Sequence, residues 1–296
     1  MKFLSEFREK NLIDALLRRI RSSELKKMKI MEVCGSQTHS IMKYNIEELL
    51  PDEISLVHGP GCPVCVTPAE MIDKALKLGG MEKNIVLTYG DMMRVPGSYK
   101  SLADLKSDGA DIRIIYSPLD AVKAASVEKE KNVILFAIGF ETTAPANAST
   151  LLAAAEAGLD NFFILSAQVL IPPAVEHILS SDNIKLDGLL APGHVCSITG
   201  YEWCEKISDK YKIPVTVTGF EPADILEGII ITAENINKCN PQTVNQYRRI
   251  VKRNGNTKAQ ETINKVFCIE GRNWRGLGFI PGSGYRLNDD YSRFDA

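Results

Sequence analysis

Short β-branched apolar runs alternate along the chain with stretches whose apolar residues recur at helical spacing. The runs are Ile30 to Val33, Ile54 to Val57, Ile85 to Thr88, Ile112 to Ile115, Val133 to Ile138, Phe162 to Leu165, Gly188 to Leu190 and Val215 to Thr218. Helical patterns fill 37–50, 68–79, 118–130, 142–158, 173–181, 197–210 and 222–237, and an amphipathic first helix is predicted from Phe3, Phe7, Leu12, Leu16 and Ile20. Strand–helix alternation of this kind predicts right-handed βαβ units and mostly parallel sheets buried on both faces. About eight strands exceed one comfortable core. The fold class read from the pattern is therefore α/β, with two lobes around a central cleft and a partial C-terminal arm. The expected division is an N-terminal lobe over 1–130, a second lobe over 131–240 and a last element over 241–296. An internal echo supports it: Ile138-Gly139-Phe140-Glu141-Thr142 and Thr218-Gly219-Phe220-Glu221-Pro222 both follow an apolar run and open a helix. Beyond residue 240 the pattern predicts helices over Gln242 to Lys252 and Thr257 to Phe267, then a glycine-rich ending without a strong period.

Composition narrows the function classes. The chain of 296 residues is 45% hydrophobic and 24% charged, so it can bury enough surface to offset chain entropy, and disorder is excluded as its main state. A net charge of −2 provides no global basic field for nucleic acid or an anionic membrane. No apolar run approaches the roughly 20 residues that cross a bilayer. The charged start lacks an apolar signal core, so a cytoplasmic chain is expected. Seven cysteines, an odd number, then point to metal or redox chemistry more than to a disulfide scaffold.

In open parallel sheets ligands gather at the carboxyl ends of the strands, and the unusual residues fall there. Cys34-Gly35 ends a strand and opens a helix, where unpaired N–H groups and the helix dipole would favour a thiolate able to bind a soft metal. The bland reading is a small core cysteine. In His58-Gly59-Pro60-Gly61-Cys62-Pro63-Val64-Cys65-Val66-Thr67-Pro68, Thr67 is read as a helix cap with Pro68 at the first helical position. A two-residue spacer lets Cys62 and Cys65 close a disulfide or share one metal ion. A redox pair, a metal half-site and coincidence all remain open for it.

Glu141 and Glu221 are either helix-capping carboxylates or cleft-facing groups able to take a proton, and Asp91 is a similar case. His39 and His194 are candidate polar site groups or satisfied structural histidines, and His177 is a helix-face residue. Cys204, Cys239 and Cys268 read as packing or surface residues, while Cys196 lies beside Gly193-His194. No phosphate-binding glycine loop and no nucleophile elbow is present.

Taken together, MEVCGSQTH (31–39), GPGCPVCVTP (59–68), GDMMRVPGS (90–98), GFETTAP (139–145), APGHVCSITG (191–200), GFEPADIL (219–226) and WRGLGFIPGSG (274–284) resemble the HypD-type maturation factors of nickel–iron hydrogenases over nearly the whole chain. The resemblance implies a cytoplasmic scaffold on which iron acquires cyanide and carbonyl ligands. The implied partners are a small HypC-type chaperone and a HypE-type cyanide donor, and the hydrogenase large subunit indirectly, as the final recipient. Nucleic acid and membrane are not among them. It further implies iron ligation by Cys34, with Cys62 and Cys65 as ligands or a redox couple, and His39, Glu141 and His194 as neighbouring catalytic groups.

Three departures from the family pattern stand out. Gln37 stands where histidine is expected, and Cys196 where serine is usual, and neither is assigned a role. The family's four-iron four-sulfur cluster is expected to be absent from this chain, which ends at Ala296 either truncated or as a cluster-less form. Cys239 and Cys268 cannot supply four cysteines. The readings that compete with the scaffold are a thiol–disulfide oxidoreductase working through Cys62 and Cys65 alone, and a protein-interaction module with structural cysteines.

Overall fold

The computed structural model describes residues 6–181 and 183–296; Phe3 of the predicted first helix lies outside the described residues. Its strands are β1 (Met28–Glu32), β2 (Ile54–His58), β3 (Asn84–Thr88), β4 (Ile112–Ile114), β5 (Asn132–Gly139), β6 (Phe162–Gln168), β7 (Gly188–Pro192), β8 (Val215–Thr218), β9 (Thr243–Asn245), β10 (Phe267–Trp274) and β11 (Gly278–Leu287). β1 to β8 fall on the predicted apolar runs. β3, β5 and β7 are buried along almost their whole length, as parallel strands covered on both faces must be.

The chain divides into two compact units, Met1–Cys62 with Ala174–Thr257 and Pro63–Pro173 with Lys258–Ala296. These boundaries differ from the expected cuts at 130 and 240. The reason lies in pairing: β7 hydrogen-bonds to β1, not to β6, its predecessor in sequence. Crossover packing, not chain adjacency, chooses the neighbour of a parallel strand.

The first unit carries a parallel sheet of order β2-β1-β7-β8-β9. Helices Lys10–Arg21, Gly35–Lys43 and Pro222–Asn237 bury Leu17, Ile20, Ile41, Ile225 and Ile229 against Ile30, Ile54 and Leu190 of its strands. The first helix differs in phase from the predicted stripe. Leu17 and Ile20 are buried while Leu12 is 38% exposed, because a face repeating every 3.6 residues drifts away from a strict four-residue spacing. Two predicted helices are broken. The 37–50 pattern is split by Asn45 at φ 51°, and the 197–210 pattern by Gly200 at φ 78°. Gly200 has no room for a side chain, since a Cβ there would lie 2.1 Å from the Arg253 carbonyl oxygen. Residues 242–252 form β9 and turns, not a helix.

The second unit carries a parallel sheet of order β4-β3-β5-β6 over a core of Ile72, Met92, Leu102, Ile134 and Phe136. The glycine-rich ending forms an antiparallel hairpin, β10 with β11, turning through Gly276 and Gly278, both at positive φ. A bulge between Glu270 and Arg272 and the many glycines hide its period-two pattern. Trp274 is buried, stacks 6.1 Å from Phe140 and donates from Nε1 to Ser283 Oγ at 2.9 Å. Among the described residues no helix is long and apolar enough to cross a membrane.

Candidate functional site

In the first unit the chain order reverses between β1 and β7. β2 lies outward on one side, and β8 and β9 follow on the other. Connections diverge from such a switch point and leave a crevice at the carboxyl ends of the strands. The motif residues of this unit stand at those ends: Cys34 after β1, Gly59 to Cys62 after β2, Gly193-His194 after β7 and Gly219-Phe220 after β8.

Cys34 is the N-cap residue of helix Gly35–Lys43, in extended conformation, and is 2% exposed. Its Sγ lies 3.3 Å from His194 Nε2. The post-β2 loop rests on the same backbone. Gly59 N–H donates to the Glu32 carbonyl at 2.7 Å, and Gly35 N–H donates to the Gly61 carbonyl at 2.8 Å. Gly61 is glycine for a steric reason, since a Cβ there would lie 2.6 Å from Cys34 Cα. That contact brings the segment entering Cys62 against the Cys34 backbone.

Electrostatics correct one expectation. Burial pushes the Cys34 thiol up to about 11, outweighing the N–H groups of Ser36 and Gln37 that favour the anion. Burial likewise pulls His194 down to about 4. At neutral pH the pair is therefore a thiol and a neutral imidazole, not the thiolate that the helix start suggested. The helix dipole acts through about one turn, while desolvation acts on the whole sulfur.

Beneath Cys34 sits a carboxylate that the sequence reading passed over. Glu32 is fully buried. Its Oε2 accepts from Cys34 N–H at 2.7 Å, and its Oε1 accepts from Thr38 Oγ1 and from His58 Nδ1, the latter at 2.7 Å. His58 reaches Glu47 through Nε2 at 3.2 Å. The available signal was a lone glutamate inside a strand expected to be buried on both faces. Gln37 donates from Nε2 to Thr218 Oγ1 and to the Ala191 carbonyl at 3.3 Å, tying the helix after Cys34 to the ends of β7 and β8. Its Oε1 is buried without a partner.

The other candidates are placed as follows. Cys62 is half-buried, and Cys65 is exposed on the short helix Pro63–Val66. Thr67 does not cap the next helix. Its hydroxyl donates to the Pro63 carbonyl at 2.8 Å, and Pro68 is the N-cap residue instead. His39 is exposed on helix Gly35–Lys43. Glu221 precedes helix Pro222–Asn237 and is engaged by Arg8 in a two-point ion pair. Cys196 and Cys204 are both buried and interact with one another, which raises the Cys204 thiol further. Among the described residues no three His, Cys, Asp or Glu side chains gather as a metal site.

Glu141 belongs to the second unit, at that sheet's own reversal between β3 and β5, and Asp91 is exposed after β3. Glu141 does not cap the helix that follows it, Ala144–Glu156, but serves the first N–H of helix Ile171–Leu179. It is 1% exposed, its Oε1 accepts from Ile171 N–H at 3.0 Å, and its Oε2 has no partner. Burial raises its carboxyl to about 8. The unfolded chain titrates near 4.5, so the folded chain holds an extra proton between those values and loses stability as pH rises through that window. Glu141→Gln is expected to flatten this loss, on the order of a few kcal/mol, in urea unfolding curves compared at pH 5 and pH 8.5. An unchanged pH slope would contradict it.

Comparison with known proteins places these motifs. The family model described as HypD, hydrogenase formation hypA family, matches residues 11–296. The chain is 40% identical over 304 residues to the hydrogenase maturation factor HypD of Escherichia coli K12, covering 100% of this chain and 82% of that protein. It is 41% identical over 306 residues to the HypD of Rhizobium leguminosarum bv. viciae, covering 100% and 80%. It is 43% identical over 274 residues to a putative hydrogenase expression/formation protein of Methanocaldococcus jannaschii, covering 93% and 76%. On that match, and on motifs that meet at the ends of adjacent strands, the chain belongs to the HypD family of hydrogenase maturation factors.

Proposed function

We propose that the chain is a cytoplasmic scaffold that holds iron at Cys34 while cyanide and carbonyl ligands are installed, before transfer to the large subunit of a nickel–iron hydrogenase. The observation that carries this reading is the Cys34 Sγ–His194 Nε2 pair at the switch point, 3.3 Å apart, in a chain whose relatives are named for hydrogenase maturation. Iron is cargo in this scheme. Low-spin iron with strong-field ligands favours soft sulfur donors and a site shielded from water, and a buried cysteine offers both. Taking up iron displaces the proton of the Cys34 thiol, and His194 Nε2, 3.3 Å from Sγ, is placed to pass that proton on to solvent, not to keep it.

Few protein donors are needed, because the iron carries diatomic ligands of its own and shares a cysteine of a small HypC-type chaperone. Cys62 and Cys65 act as further ligands or as a dithiol that takes and returns electrons. A HypE-type partner delivers cyanide. His39 and Glu141 are candidate proton-handling groups of the same process. No four-iron four-sulfur cluster is assigned to the cysteines of this chain.

The test is the infrared spectrum of the chain purified without oxygen in complex with the HypC-type chaperone after co-expression with the cyanide donor. Cyanide and carbonyl stretches are expected, and they should vanish in Cys34→Ala. Bands that persist in Cys34→Ala would overturn the ligand assignment. Iron-independent turnover of disulfide substrates, abolished in Cys62→Ser, would instead establish the oxidoreductase reading that the exposure of Cys65 favours.

A further inference from the structure

A histidine that serves a metal or a thiol through one ring nitrogen is ordinarily oriented by a hydrogen bond at the other. His194 shows no such partner: among the described residues no hydrogen bond is seen at Nδ1, and its ring stacks face to face on Phe220, 4.5 Å between centroids at 19°. Ring packing must therefore decide where Nε2 points. Phe220 in turn meets the edge of Tyr247, 5.8 Å away at 83°. Tyr247 fills a slot that two glycines leave open. A Cβ on Gly193 would lie 2.5 Å from its ring, and one on Gly219 would lie 2.8 Å from it. Gly193 opens the helix Gly193–Thr199 that carries His194, and Gly219 lies in the turn after β8 that carries Phe220.

The far face of the row is clamped. The Arg249 guanidinium lies 4.4 Å from the Tyr247 ring centroid and 3.9 Å from that of Phe7, sandwiched between them. Its two terminal nitrogens donate to the two oxygens of the fully buried Asp224 at 2.8 and 2.6 Å. A bidentate fork of this kind fixes the plane of the guanidinium and hence of whatever stacks on it.

We propose that Tyr247, clamped by the Arg249–Asp224 pair, is a positioning residue that holds His194 Nε2 against Cys34 Sγ through Phe220. The proposal rests on reading Cys34 and His194 as the working pair, and adds the residue that sets their geometry. It assigns the ring, not the hydroxyl, of Tyr247 to the task.

The full chain labelled with 15N-histidine carries four imidazoles, and His194→Gln identifies the resonance of His194 in the long-range proton–nitrogen spectrum. In Tyr247→Leu the His194 ring protons are expected to lose the ring-current shift imposed by Phe220. Alkylation of Cys34 by iodoacetamide, followed by peptide mass spectrometry, should accelerate about tenfold as the His194 side of the site opens more often. Tyr247→Phe should reproduce the parent chain in both measurements, which a role for the hydroxyl would not allow. A folded Tyr247→Leu chain with the parental His194 resonance would overturn the proposal, as would a Tyr247→Phe chain displaced as far as Tyr247→Leu. Should Tyr247→Leu not fold, Arg249→Gln carries the test: a displaced His194 resonance supports the proposal and an unmoved one refutes it. Titration of the parent chain with ferrous iron alone separates the two readings. Failure to bind iron while the Tyr247 variants still displace His194 would remove the iron reading and leave the positioning role standing.

Discussion

Replacing Glu32 by alanine is expected to destabilise the chain by about 3 to 5 kcal/mol, the usual cost of removing one member of a buried charged network. The carboxylate has no exposed surface and is the acceptor for Cys34 N–H, Thr38 Oγ1 and His58 Nδ1. Thr38 retains a second acceptor in the Cys34 carbonyl at 3.2 Å, and His58 retains Glu47, so the donor left stranded is the backbone N–H of Cys34. The loss should appear as a lower urea midpoint at unchanged slope. Glu32→Gln separates charge from shape. An amide offers one oxygen where the site uses two, so about 1 to 2 kcal/mol should be lost. Equal stability of Glu32→Ala and the parent would show that the network contributes nothing. The same substitution should ease ionisation of Cys34, because the neighbouring Glu32 charge is one of the influences that raise its thiol.

Gly61→Ala is the second large effect. The added methyl would lie 2.4 Å from Gly35 N, 2.5 Å from Cys34 C and 2.6 Å from Cys34 Cα. All three are backbone atoms and no rotamer change removes them, so the loop must lift from the β1 end. That breaks the Gly35 N–H to Gly61 carbonyl bond. A cost of about 3 kcal/mol or more is expected, at the upper end of overpacking penalties. On the proposed reading of Cys34 as the iron ligand, ferrous iron binding should weaken together with it, since the segment entering Cys62 loses its seat. Gly80→Ala provides the control: its nearest neighbours would be 3.4 Å away at an ordinary negative φ, and a change within about 0.5 kcal/mol is expected. Similar thermal midpoints for the Gly61 and Gly80 variants would refute the close-approach argument.

Much of this site was legible before any coordinates. Cys34, Cys62 and His194 all follow apolar runs, and the rule that ligands gather at strand ends was sufficient to group them as candidates. It could not tell which strands stand side by side. β1 and β7 are separated by about half of the chain and pair side by side, so Cys34 meets His194 only in the folded sheet. Glu141 follows the same local pattern as His194, yet belongs to the other sheet. Residues without chemical distinction in sequence were the hardest to find. Phe220 stood out only as part of the repeated Gly-Phe-Glu turn, Tyr247 only as one position of a helix expected over Gln242 to Lys252, and Glu32 only as a strand residue.

The order of strands and helices, the α/β class and the cysteine- and glycine-bearing turns were set by local pattern, because side-chain periodicity and backbone propensity act over a few residues at a time. Strand neighbours, the interleaved units, the neutral state of the Cys34 thiol and the aromatic row behind His194 depend on which distant surfaces are removed from water together. Desolvation and close packing are properties of a neighbourhood, and that neighbourhood exists only once the chain has folded.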